Sequence, residues 1–169
     1  GLGAALAQDL LGRGVQVMAI SRSANEQLAA QFGASLQQVP LNLSDLNALT
    51  DWLAGPEMGA FLADAEQAIL INNAGRVEPI GPPGMQSPGQ IAQAVSLNVA
   101  APLMLADAFV DAAGEVGDRR ILHISSGAAR NAYAGWSVYC ATKAALDQHA
   151  AGVVADGLPK LLIESLAPG

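Results

Sequence analysis

Five short apolar runs recur along this 169-residue chain, and the spacing between them restricts the fold more than any other feature. The runs cover residues 15–20, 36–41, 68–71, 121–124 and 161–166, lengths that suit buried strands. Helix-length segments separate them. Residues 2–11 have helical apolar spacing and end at Gly12 and Gly14, while residues 25–32 end at Gly33. Ser44 or Asp45 can cap a segment through Leu53, and residues 91–113 and 137–155 supply two longer helices.

Continuous apolar strands predict a parallel sheet covered on both faces, and right-handed crossovers between such strands build a doubly wound structure. The expected fold is therefore α/β of Rossmann type, three layers α/β/α, in one domain over residues 1–169. A hydrophobic fraction of 51% and a mean hydropathy of +0.32 are enough for one core. Residues 75–89 carry four prolines and read as a stiff, non-helical loop after the third strand, at the edge where open α/β sheets bind ligands.

A formal net charge of −7 argues against nucleic acid or an anionic membrane as partner, since both would be repelled. The one cysteine, Cys140, cannot form an internal disulfide, and no leader is visible, so a cytoplasmic location is expected. No metal-ligand spacing occurs, and no metal is expected. His123, inside an apolar run, reads as a hydrogen-bonded core residue, and Cys140 as a small packing residue.

Tyr139 and Lys143 stand four residues apart in YCATK, which puts both on one face of a helix, one turn apart. A phenol titrates near pH 10 and transfers protons poorly at neutrality unless a cation beside it favours the phenolate. Lys143 supplies such a cation. Ser126 follows the apolar run ILHIS and precedes Gly127, so its hydroxyl projects from the carboxyl edge, where it could bond a substrate oxygen.

At these residues the chain resembles the short-chain dehydrogenase/reductase family. The matching motifs are GLG at 1–3, NNAG at 72–75, Asn98 in SLNVAAP, ISS at 124–126, YCATK at 139–143 and Pro168-Gly169. The stretch from His123 to Asp147 is most similar to the sepiapterin reductase and bacterial benzil reductase branch. The resemblance implies Tyr139 as general acid, Lys143 supporting it and binding the nicotinamide ribose, Ser126 holding the carbonyl oxygen, and Asn98 holding a water in the proton relay. It implies that Gly1, Leu2 and Gly3 close the phosphate-binding glycine motif, and that Asn73, Ala74, Gly75, Pro168 and Gly169 also meet the cofactor. It further implies a family member without its first strand and C-terminal part, and a homodimer or homotetramer when full length.

At the end of the first apolar run stand Ser21 and Arg22, where NAD-binding chains usually place an acidic residue for the ribose hydroxyls. A hydroxyl beside a guanidinium suits a 2′-phosphate, so NADP(H) is preferred, with NAD(H) left open. Asn42-Leu43 stands where the family often has an acidic residue before an apolar one, and the Asn42 amide can still accept from adenine. Gly127, Ala128, Tyr133 and Trp136, with residues 76–80, would line a mostly apolar substrate pocket suited to a hydrophobic ketone or diketone. The expected function is NADPH-dependent carbonyl reduction. The alternative is a non-catalytic NADP-binding sensor on the same fold, which has no need for Ser126, Tyr139 and Lys143 together.

Overall fold

The protein is described here by a computed structural model covering residues 1–114 and 116–168, which divides into two compact units, Gly1–Leu43 and Ser44–Gly169. In the first unit, α1 (Leu2–Gly12), β1 (Val17–Ser21), α2 (Glu26–Phe32) and β2 (Leu36–Pro40) follow in order. The two strands are parallel, in register from Val17 with Leu36 to Ser21 with Pro40. Leu11, Leu28 and Leu36 form its core, against Ala7, Val17, Ala19 and Phe32. Asn25 caps α2 by accepting from the Leu28 N–H at 3.1 Å, and Gln38 on β2 grips the Asn25 main chain.

The second unit holds α3 (Leu46–Leu53), α4 (Glu57–Leu62), β3 (Gln67–Asn72), α5 (Pro88–Val95), a π-helical segment (Ser96–Ala100) and α6 (Ala101–Ala112). β4 (Asp118–Ile124), α7 (Ser137–Asp156) and β5 (Leu161–Leu166) complete it. The strands pair in parallel in the order β3-β4-β5. Phe109, Ala106 and Ala113 of α6 and its C-terminal end, Ile121 of β4, Ala150 of α7 and Ile163 of β5 meet in one core. Because all three strands run the same way, residues 73–75, 125–126 and 167–168 all leave from the same carboxyl edge.

The apolar runs thus become strands, within a residue or two at most ends, and every pairing is parallel. Three details differ. The short α4 was not expected; Met58, Phe61 and Leu62 give it an apolar side against the core, between Gly55-Pro56 and Ala63. The helix expected over 91–113 starts earlier, because Pro88 suits a first helical position behind Ser87, so Pro88 and Gly89 leave the expected loop. That helical run also contains the π segment, which periodicity does not reveal. By length and composition alone, 88–112 could cross a bilayer; here Ala94, Asn98, Ala101, Leu105, Ala106 and Phe109 are buried in the unit.

His123 is fully buried and tied on both sides, as the sequence suggested. The Asn72 amide donates one proton to the Pro102 carbonyl (3.3 Å) and meets His123 Nδ1 at 3.2 Å, so Nδ1 accepts. The ring proton then sits on Nε2 and donates to His149 Nδ1 at 3.0 Å, joining β4 to α7. Burial, with smaller contributions from His149 and Lys143 and against Asp147, pushes His123 down from 6.5 to about 4.

Since the folded ring binds its proton more weakly than the unfolded one, this stability is complete above pH 6.5 and is lost as pH falls toward 4. The loss should reach at most about 3 kcal/mol, less what solvent screening removes. Denaturant titrations at neutral and acid pH should show that slope, and His123→Asn should flatten it; an unchanged slope in the variant would refute the assignment. A second expectation concerns α7. Gly157 ends it in the left-handed region (φ 66°), whereas Gly152 lies inside the helix without a positive φ, and neither has an atom within 4 Å of an added Cβ. Gly157→Ala should therefore lose about 1 kcal/mol while Gly152→Ala gains about 0.5–1 kcal/mol, read from unfolding midpoints.

Candidate active site

β4 ends at Ile124, and the Ser125 N–H continues the ladder onto the Leu166 carbonyl at 2.7 Å. Ser126 stays extended, and its Oγ accepts from the Ala128 N–H at 3.2 Å to open a 3-10 turn over Gly127–Ala129. Accepting uses a lone pair of the hydroxyl and leaves its proton to donate. Ala128 is buried, and its N–H is bonded to Ser126.

Tyr139 and Lys143 lie in the first two turns of α7. Lys143 is only 4% exposed, with Nζ donating to the Ile124 carbonyl at 2.7 Å and standing 5.7 Å from the centre of the Tyr139 ring. One hydrogen bond uses one of three N–H donors, so among the described residues two remain for other acceptors. Gly75, leaving β3, lies beside them: a Cβ on it would make ordinary contact with Lys143 Nζ and with Asn98 Oδ1, each at 3.5 Å.

Burial draws Lys143 below the ordinary lysine range, and the Asp147 carboxylate, one turn further along α7, opposes that pull. Burial would raise Asp147 itself, but the Ser165 hydroxyl (2.6 Å to Oδ1) and the Arg130 guanidinium (3.3 Å to Oδ2) outweigh it and keep the carboxyl below its usual range. A fixed negative charge therefore sits beyond the buried ammonium.

Asn98, in the π segment, is completely buried. Its Oδ1 accepts from the Arg76 N–H at 2.9 Å, and its Nδ2 donates to the Arg76 carbonyl at 2.8 Å and to Thr142 Oγ1 at 3.0 Å. With both amide protons committed, a water at Asn98 would need the remaining lone pair of Oδ1 or the main-chain carbonyl.

An aromatic series leads outward from Tyr139: its ring meets Trp136 edge-on at 5.6 Å, and Trp136 meets the half-exposed Tyr133 at 5.5 Å. The Tyr133 hydroxyl lies 3.8 Å from where a Cβ of Gly127 would stand. The Gly81 N–H donates to the Gly135 carbonyl at 2.9 Å, bringing the loop after β3 against the segment before α7, with Ile80 and Met85 exposed. Arg76 bonds Gln93 at 2.8 Å and approaches Glu78 at 3.8 Å.

Of the cofactor residues expected from the sequence, Asn73, Ala74 and Gly75 leave β3 at the carboxyl edge, and Pro168 is exposed beyond β5. Gly169 lies outside the described residues. In the first unit, Gly1 is the N-cap of α1, with Leu2 and Gly3 in its first turn. Ser21 ends β1 with its hydroxyl on the Ser23 carbonyl (2.8 Å), and Arg22 is exposed beside it. Asn42 is exposed, while the Leu43 side chain is buried, which leaves its main chain to meet a ligand. Sequence reasoning missed Thr142 and Asp147; both sit in the helix of Tyr139 and Lys143, but nothing in the local spelling marks them.

The whole chain, residues 1–169, matches the family model for short chain dehydrogenases. It is 33% identical to a benzil reductase ((S)-benzoin forming) of Bacillus cereus, over all of this chain and 71% of that protein. A benzil reductase of the same description from Bacillus subtilis (strain 168) is 35% identical over 87% of this chain, which spans only 59% of that relative. A crystal structure of a short-chain dehydrogenase/reductase from Burkholderia vietnamiensis superposes with a TM-score of 0.96 at 54% identity, covering all of this chain and 79% of the other. With the serine beyond a strand end of a parallel sheet, the tyrosine and lysine one turn apart on α7 and a match along its full length, the chain belongs to the short-chain dehydrogenase family of NAD(P)-dependent oxidoreductases.

Proposed function

We propose that the protein carrying this chain is an NADPH-dependent carbonyl reductase acting on a hydrophobic ketone or diketone. The observation that carries the reading is the buried Lys143 ammonium, anchored on Ile124 beside the Tyr139 ring with two donors uncommitted among the described residues. A structural lysine would have no reason to keep donors in reserve away from water. Ribose hydroxyls and a phenol oxygen are acceptors of the right kind, and Gly75 lies beside Nζ.

When bound, the nicotinamide supplies the hydride that reduces the carbonyl carbon. The chain supplies the rest. The Ser126 hydroxyl donates to the carbonyl oxygen and draws off its developing charge, and Tyr139 delivers the proton to that oxygen. Lys143 holds a positive charge beside the phenol, and Asp147 helps keep that ammonium protonated despite its burial. Ser21 and Arg22, with no carboxylate at 21–23, favour a 2′-phosphate. Tyr133, Trp136, Ile80 and Met85 offer an apolar, partly aromatic surface near the site, which agrees with the substrate in the names of the two Bacillus relatives.

Tyr139→Phe removes one hydroxyl and keeps the ring against Trp136. With benzil and NADPH, turnover by the full-length enzyme should fall about 10²–10⁴-fold while the NADPH dissociation constant hardly moves. A rate within threefold of the parent would show that Tyr139 is not the proton donor, whereas a parent that binds NADPH but turns over no carbonyl would favour the sensor reading. Arg22→Asp should reverse or abolish a preference for NADPH over NADH, a contact worth about 1.5–3 kcal/mol; equal efficiency with both cofactors in the parent would remove the basis for NADPH.

A further inference from the structure

We propose that Thr142 is a positioning residue for Tyr139 and Lys143, linking their helix to Asn98 through its hydroxyl. The inference rests on the reductase reading above.

Thr142 lies between the two residues in sequence and is only 3% exposed. Its hydroxyl donates to the Tyr139 carbonyl at 2.9 Å, the local bond that a threonine inside a helix commonly makes. The same oxygen accepts the Asn98 Nδ2 proton at 3.0 Å, and that contact is not local: it spans 44 residues. Asn98 in turn holds both the N–H and the carbonyl of Arg76, the residue after Gly75. One hydroxyl therefore closes a chain of bonds from the loop after β3, through the π segment, to the main chain of Tyr139.

Each group in this chain is satisfied by its neighbour, so the geometry has little slack. The amide of Asn98 has no spare proton, and its Oδ1 and Lys143 Nζ both face Gly75. Without the Thr142 hydroxyl, a buried Nδ2 proton loses its acceptor, and α7 loses this polar contact with the π segment. Tyr139 and Lys143 would keep their chemistry but lose part of their alignment, and small misplacements at a reacting centre are costly in rate.

The test uses the full-length enzyme with NADPH and benzil, and the variants Thr142→Val, Thr142→Ser and Thr142→Ala. Valine keeps the shape without the hydroxyl, and serine keeps the hydroxyl without the methyl. Thr142→Val should lower kcat about ten- to a hundredfold with KM for NADPH changed less than threefold, and Thr142→Ser should stay within about threefold of the parent in kcat. If the valine variant does not fold, the alanine and serine variants carry the same comparison. Turnover by valine or alanine equal to that of serine would overturn the proposal, as would a serine variant as slow as valine. A parent enzyme that reduces no carbonyl in a screen with NADPH would instead bring down the reductase reading, and this inference with it.

Discussion

A lysine ammonium taken out of water is expensive unless its donors are met and its charge is offset. Lys143 meets that condition in part: one hydrogen bond to Ile124, the face of Tyr139 at 5.7 Å, and the carboxylate of Asp147 further along the helix. The incompleteness matters. A lysine with no anchor would swing out to water; this one is fixed by Ile124, and among the described residues two of its donors have no acceptor. The bond to Ile124 is one of the ties that hold α7 to the end of β4, beside those of His149 to His123 and of Asp147 to Ser165.

That arrangement depends on the parallel sheet. Parallel strands send their carboxyl ends to one edge, so Asn73–Gly75, Ser126 and Pro168, far apart in sequence, leave the sheet side by side. A crossover helix must return to the start of the next strand, which carries α7 past the end of β4 on its way to β5. Continuous apolar strands therefore do more than fill a core.

This explains which parts could be read in advance. Apolar runs specify strands because burial on both faces leaves no polar alternative, and Tyr139 and Lys143 could be paired because helical spacing fixes which side chains share a face. Thr142 could not be, since its partner Asn98 is 44 residues away and only tertiary packing brings them together. The π segment escaped for a related reason: one extra residue in a turn leaves no compositional trace, while hydrogen bonds from Asn98 to residues 76 and 142 hold it in place. Ala128 and Leu43 have buried side chains, so contact of either with a ligand would be through its main chain, which sequence alone does not reveal.

Two buried polar layers underlie the site, and they differ in what they can tolerate. Asn98, Thr142 and Arg76 exchange hydrogen bonds among groups that do not titrate near neutrality, so that layer keeps its pattern across pH. Asn72, His123 and His149 instead depend on one tautomer, because the Asn72 amide can only donate to Nδ1 while its other proton is held by Pro102. A proton added to His123 would set two donors against each other with no rotation of Asn72 that also satisfies the Pro102 carbonyl. The layer bonded to the Tyr139 main chain is thus the pH-insensitive one, whereas the titratable pair joins β4 to α7, and the Lys143 charge is among the influences that lower His123.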